Sequence, residues 1–280
     1  MSRKQGDLRA WIDLLRFHEY GPLFLFSALA GAFLATKNVD FCLVPLLLFI
    51  TFSSMSAFVL NDLMDAEEDR ARGVWRNPIA SGRLERGTVS LAFSILALLS
   101  LVFLLFLSFR VAVTGLLVLL LSWSYSWGPR FRDRPCLDLI VHGAGPALYV
   151  LMGYMLYKPV DFPSLLLAGI TFSLSCISCI LQQMRDMEVS SKKTTSLIGV
   201  RRSVDLAIAF MLMSILLYVA IVFIGALPSL FVIFILAGAI LLKPLFALRK
   251  GLVKPEQAIE DLRRYGSLLA LFMLLAYLLL

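Results

Sequence analysis

Residues 41–60 read FCLVPLLLFITFSSMSAFVL and run without a break into NDLMDAEEDR at 61–70. The first part has the length and composition of a membrane-crossing helix. If the helix continues through the second part, Asn61, Asp65 and Asp69 recur every four residues and share one face, a turn apart. Two carboxylates and an amide carbonyl then make an incomplete, oxygen-rich site. Such a site suits Mg2+, which keeps water or phosphate oxygens as its remaining ligands, so a phosphorylated compound is the expected partner.

The surrounding chain has the same character. Over 280 residues, 60% are hydrophobic, 16% are charged and the mean hydropathy is +0.86. Soluble domains carry about half apolar and about a quarter charged residues. These values exclude an ordinary soluble fold and predict an all-α membrane protein. No Pro/Gly/Ser-rich linker or low-complexity tract interrupts the sequence, so residues 1–280 are expected to form a single membrane-embedded domain. Residues 1–20 are polar and amphipathic, and no cleavable leader is expected there.

DLRAWIDLLRFH at 7–18 places Leu8, Trp11, Ile12 and Leu15 on one face, which predicts an interfacial helix within residues 1–19. Nine transmembrane helices follow, expected at 20–36, 41–63, 88–107, 111–127, 137–157, 163–184, 204–226, 229–247 and 264–280. With the N-terminus in the cytoplasm, 23 of the 26 Lys and Arg residues fall on the inner side, and only Lys37, Arg110 and Lys158 fall outside. The positive-inside rule therefore predicts cytoplasmic loops at 64–87 and 185–203 and an external C-terminus. The net charge of +7 is on this reading a topology signal, with no nucleic-acid partner implied.

The loop after the sixth span, within QQMRDMEVSSKKTTSLIG at 182–199, carries Asp186 and Glu188. Two acidic segments, each just past a span and four crossings apart, suggest a twofold repeat of four-helix halves with a ninth helix added. Both segments are expected to face a central cavity open to the cytoplasm, where metals bridge a diphosphate. Basic residues accompany them: Arg70, Arg72, Arg76 and Arg83; Arg130, Arg132 and Arg134; Lys192 and Lys193. Topology alone accounts for many cations, but it does not ask for carboxylates. On a continuing helix Asp186 and Glu188 would diverge by about 200°, so a shared metal requires α-structure to end near Arg185. Val189, Ser190, Ser191, Thr194 and Thr195 are weak helix formers, consistent with such an end.

Several motifs in order resemble those of the UbiA-type intramembrane prenyltransferases. NDLMDAEEDR is similar to NDxxDxxxD, matching at Asn61, Asp62, Asp65 and Asp69. RNPIASGRL at 76–84 is similar to the RPIxSG segment, and YSWGPRFRDRP at 125–135 to YSxPP with its basic stretch. Asp138 in LDLIVHG and Arg16 in LLRFHEYGP fit as well, so the resemblance covers essentially the whole chain. It implies a bundle of nine transmembrane helices and Mg2+-dependent transfer of an isoprenyl group from a prenyl diphosphate to an aromatic or lipidic acceptor. It also implies catalytic roles for Asp65, Asp69, Asp186 and Tyr125, and metal binding by Asn61, Asp65, Asp69, Asp186 and Glu188. Arg16, Asn61, Arg72, Arg76, Arg130, Arg132, Lys192 and Lys193 are the implied substrate-binding residues. Tyr125 and Trp127 are candidates for an aromatic wall shielding an allylic cation from water. One departure concerns the second motif: Ser190 stands where the family commonly has a second aspartate, and Glu188 is the candidate substitute.

Two other classes share part of this pattern. A CDP-alcohol phosphatidyltransferase also uses Mg2+ and membrane-end aspartates, but its signature begins Asp-Gly, unlike NDLMDAEEDR. A transporter would suit the apparent repeat, yet neither acidic cluster lies mid-span, where transporters place their sites. Cys42, Cys136, Cys176 and Cys179, with His18 and His142, assemble no zinc ligand set. The CxxC of Cys176 and Cys179 sits mid-span among small residues and reads as helix packing.

Overall fold

The computed structural model describes residues 3–38, 40–187 and 192–279. Among them every regular element is helical. The segment expected as one interfacial helix is divided: α1 spans Arg3–Leu15 and α2 spans Phe17–Ala35. Arg16 separates them with φ 49°, a left-handed conformation that an L-residue adopts only when its surroundings hold it there. Here the guanidinium is held by an ion pair with Asp62.

Helix α3, Leu43–Ala71, is one uninterrupted helix of 29 residues. It continues eight residues past the expected end of the second span. Asn61, Asp65 and Asp69 therefore do share a helical face. Helices α4 (Arg86–Leu104) and α5 (Phe109–Ser126) follow. Then come α6 (Leu137–Met155), α7 (Phe162–Arg185), the short α8 (Thr194–Ile198) and α9 (Val200–Phe223). Asp161 and Ser164 form a reciprocal capping box that starts α7.

The segment expected as an unbroken eighth span is interrupted. A 3-10 turn at Ser229–Val232 leads into α10 (Ile233–Ile240), and Leu241 separates that from α11 (Leu242–Arg249). Pro244 is the cause: it has no N–H to offer the carbonyl of Ile240, and its ring crowds that carbonyl. Helix α12, Pro255–Leu279, starts nine residues before the expected ninth span. Proline is well suited to a first helical position, where its missing N–H costs nothing. Among the described residues, five helices are long and apolar enough to cross a membrane: α3, α4, α5, α7 and α9. Polar residues interrupt the apolar runs of α2 (His18, Glu19) and α6 (Asp138, His142).

The chain forms two compact units. The first comprises residues 1–131 and 148–159, the second residues 132–147 and 160–280. In the first unit Leu46, Phe49, Ile50, Leu119 and Met152 are buried together, and a second cluster of Leu14, Val59, Leu63, Ile79 and Val89 lies around the end of α3. Small residues bring α2 against residues 148–155 backbone to backbone. A Cβ on Gly31 would lie 1.9 Å from the Val150 carbonyl oxygen, and one on Gly153 the same distance from that of Ala28. Such contacts replace the hydrophobic drive that helices lack in lipid. The core of the second unit gathers Ile177, Ile180, Leu181 from α7, Val204, Ala207, Met211 from α9, and Leu245 from α11.

Candidate active site

In the first unit the polar end of α3 is organised by buried hydrogen bonds. Asn77, from the loop after α3, is 1% exposed. Its Nδ2 donates to the Asp62 carbonyl oxygen at 2.9 Å and to Asp69 Oδ2 at 2.8 Å. Its Oδ1 accepts from the backbone N–H groups of Ile79 and Ala80 at 3.0 and 3.2 Å. One side chain thus closes the loop on itself and fixes the rotamer of Asp69, leaving the other carboxylate oxygen of Asp69 for a cation or water. Asn61 is likewise oriented: Nδ2 donates to Ser126 Oγ at 3.1 Å, so the amide oxygen is the end available to a cation. Trp123 Nε1 donates to Ser56 Oγ at 3.2 Å, a second tie between α5 and α3.

Asp62 differs from its neighbours. It is fully buried and ion-paired with Arg16, whose guanidinium also lies 6.0 Å from the centre of the Phe58 ring. A buried carboxylate is tolerable only with such compensation. At 100° per residue Asp62 lies about 20° from Asp69 and about 60° from Asp65; what sets it apart from them is its complete burial against Arg16. Arg16, expected at substrate, is engaged with Asp62 in this structure.

Several other cations of this unit are paired as well. Arg72 meets Glu68 at 2.6 Å one helical turn away, Arg76 meets Glu19, and Arg130 lies 3.9 Å from Glu68. Arg83 binds Asp13 at 2.6 Å and the Trp75 carbonyl at 2.8 Å, with its guanidinium 4.9 Å from the Trp75 ring centre. Arg70 donates to the carbonyls of Ile79 and Ala80, reinforcing the Asn77 loop. Asp65 and Tyr125 are half-buried.

In the second unit α7 ends at Arg185, as a shared role for the following acids requires, and Asp186 caps it. Arg185 pairs with Asp186 through Nε at 2.9 Å, and Arg132 lies 3.9 Å from Asp133. Glu188 and Ser190 lie outside the described residues. The chain is described again from Lys192, which is exposed, through Lys193, half-buried, to Thr194, which is 4% exposed.

Asp138 is the buried centre here. Oδ2 accepts from Thr194 N–H at 2.8 Å and Gln183 Nε2 at 2.9 Å; Oδ1 accepts from Leu139 N–H at 2.8 Å and from the Thr194 hydroxyl. The Thr194 hydroxyl accepts in turn from Cys136 N–H at 2.7 Å, and Gln183 Oε1 accepts from Thr195 N–H at 3.3 Å.

Sequence reasoning assigned no role to Asn77, Gln183 or Thr194, and noted Asp138 only as a motif match. For Asn77 a signal existed: an Asn-Pro dipeptide favours a turn in which the Asn side chain bonds backbone two or three residues ahead. For the others the partners are 45 and 56 positions apart, beyond any local pattern.

The first unit's donor set fits Mg2+ in its chemistry. Asn61, Asp65 and Asp69 offer hard oxygens only, on one face, with two of the three side chains pre-oriented by Ser126 and Asn77. Among the described residues no group of three or more Asp, Glu, His or Cys side chains gathers as a complete metal cage.

The sequence model of the UbiA prenyltransferase family matches residues 24–278. The chain belongs to that family. Its fold agrees with solved UbiA-type structures. A UbiA homologue from Archaeoglobus fulgidus, bound to DMAPP and Mg2+, superimposes with a TM-score of 0.76 at 19% identity, covering 96% of this chain and 98% of that one. A digeranylgeranylglyceryl phosphate synthase gives a TM-score of 0.77 at 17% identity, with 98% and 99% covered. The apo UbiA homologue from Aeropyrum pernix K1 gives 0.75 at 13% identity, with 92% and 98% covered. No curated protein matches the chain. As a UbiA-family member with several apolar helices of membrane length, the protein is an integral membrane protein.

Proposed function

We propose that this protein transfers an isoprenyl group from a prenyl diphosphate to an aromatic or lipidic acceptor, with Mg2+ held at the end of α3. The observation that carries the reading is the single face of Asn61, Asp65 and Asp69, with Asp69 held by buried Asn77. Solved relatives bound to Mg2+ with DMAPP or GPP support the cofactor and the donor class. Family membership favours prenyl transfer over phosphatidyl transfer or transport.

When bound, Mg2+ supplies Lewis-acid neutralisation of the departing diphosphate. The chain's own residues do the rest. Asp65 and Asp69 supply the negative charge that holds the ion, and Asn61 adds a neutral oxygen. Arg72, Arg76 and Arg130 exchange their carboxylate partners for diphosphate oxygens, and their planar forks suit either. In the second unit Asp186, Glu188, Arg132, Lys192 and Lys193 supply carboxylate and cationic groups for metal and diphosphate. Tyr125 contributes an aromatic surface that disfavours water next to an allylic cation. Nine crossings, a single domain over residues 1–280, a cytoplasmic N-terminus and site, and an external C-terminus complete the proposal.

The test is purified protein in lipid nanodiscs given geranyl, farnesyl or geranylgeranyl diphosphate with a panel of aromatic and glycerol-phosphate acceptors, read by mass spectrometry. Mg2+-dependent prenylated product is expected. No product and no diphosphate release with any donor would overturn the reading. The orientation is checked separately by Ser81→Cys: a membrane-impermeant thiol reagent should label it from the cytoplasmic face, and labelling only from outside would sink the orientation.

A further inference from the structure

The carboxylate of Asp138 is completely buried and accepts four hydrogen bonds, two of them from Thr194. Burying a carboxylate is expensive, and a structural helix start needs no charge, since Ser, Thr or Asn caps as well. The carboxylate joins α6, α7 and the start of α8 at one point. Thr194 is the first residue of α8, and its N–H is one of the donors that a helix start leaves without an internal partner. Asp138 accepts it from α6, while Gln183 on α7 accepts the next N–H from Thr195. The residue before Thr194 is Lys193, with φ −98° and ψ 159°. Lys193, half-buried, is bonded directly to this anchored residue, so holding Thr194 holds the backbone from which the Lys193 side chain sets out.

We infer that Asp138 is a positioning residue: through Thr194 it fixes the start of α8 and thereby the backbone from which Lys193 and Lys192 present their ammonium groups to a diphosphate. This rests on the proposed diphosphate-binding role of the two lysines. A free lysine chain loses much rotamer entropy on binding a phosphate, and a fixed backbone lowers the further cost of ordering the segment. The anchor therefore acts on affinity for the diphosphate, not on the chemical step.

Two substitutions separate positioning from mere support. Thr194→Val keeps the shape and removes the hydroxyl; Thr194→Ser keeps the hydroxyl. Asp138→Asn replaces an acceptor with a donor facing donors, and serves as the stronger variant if it folds. With geranyl diphosphate and Mg2+ as the probe, Thr194→Val should raise Kd and KM about tenfold with kcat within about twofold, and Thr194→Ser should restore both. On a Lys193→Ala background, Thr194→Val should add little, because both changes remove one interaction. Tryptic cleavage after Lys193 should accelerate in Thr194→Val without any ligand present. A lower kcat or melting temperature with unchanged Kd would overturn the inference, as would full additivity with Lys193→Ala. If wild-type protein binds no geranyl diphosphate, the functional reading fails instead. If it binds but Lys192→Ala and Lys193→Ala do not weaken it, the lysine assignment and this inference fall together while the reading of the α3 site stands.

Discussion

The segment after α3 and the segment after α7 meet the same demand by opposite means. Past its apolar run α3 stays helical for more than two turns, so its acids keep helical register, and a neutral amide, Asn77, reaches back from the loop to donate to Asp69. Helix α7 stops at Arg185 with Asp186 as its cap, and a charged acceptor, Asp138, reaches forward from α6 to take the donors of Thr194. Where the carboxylates are already placed by a helix, the support need only be a donor. Where the functional groups are cations on a short turn, the support is an anion at that turn's start.

The largest effect is expected at the α3 site. Asp65→Asn keeps shape and removes a charge, so Mg2+-dependent turnover should fall by about a hundredfold or more, with an unchanged melting temperature. Wild-type activity in that variant would remove Asp65 from the site.

Asn77→Ala comes next. It strips two donated and two accepted hydrogen bonds from a buried position, costing about 1–3 kcal/mol of stability for the groups left unsatisfied. The Mg2+ concentration for half-maximal rate should also rise, by about tenfold if holding Asp69 is worth ~1.4 kcal/mol. A loss of stability with an unchanged Mg2+ requirement would make Asn77 a loop brace only.

Asp62→Asn should show the converse pattern. Leaving Arg16 without its buried counter-charge should cost about 3 kcal/mol of stability, measured by thermal unfolding. The Mg2+ requirement of the folded protein should stay within about twofold, since the Asp62 carboxylate is fully buried and engaged by Arg16. A Mg2+ dependence shifted as far as in Asn77→Ala would place Asp62 among the ligands.

The smallest effect is expected in the second segment. Glu188→Gln should raise the half-maximal Mg2+ about threefold, a change of ~0.6 kcal/mol. An unchanged requirement, with Asp186→Asn inactive, would leave Asp186 as the acid of that loop.

What could be read in advance follows from how far apart the causes lie. The face of Asn61, Asp65 and Asp69 was legible because a period of four writes itself into ten consecutive residues. The end of α7 at Arg185 was legible because a run of weak helix formers follows it. The break between α10 and α11 was missed because an apolar tract hides Pro244, whose effect falls on a carbonyl four residues earlier. The left-handed Arg16 was missed because its cause, Asp62, is 46 positions away. Asp138 matched a motif, but only folding brings Gln183 and Thr194 to it.

The unbroken course of α3 has an electrostatic corollary. From its first residue, Leu43, to Leu60 the helix covers about 27 Å at 1.5 Å per residue, close to the thickness of the hydrocarbon layer. From Asn61 to Asp69 the helix rises about 12 Å more, which, if residues 43–60 span that layer, would carry it through the headgroup zone toward water. Placed so, the three oxygen donors would be rungs on a gradient of polarisability, with the uncharged Asn61 at the least polar rung and Asp69 nearest the solvent. Coulomb attraction at a fixed separation strengthens as the medium becomes less polar. A cation shared by Asp65 and Asp69 would be held more tightly the deeper it sits, so the same two charges that admit it near water would grip it at the lipid edge.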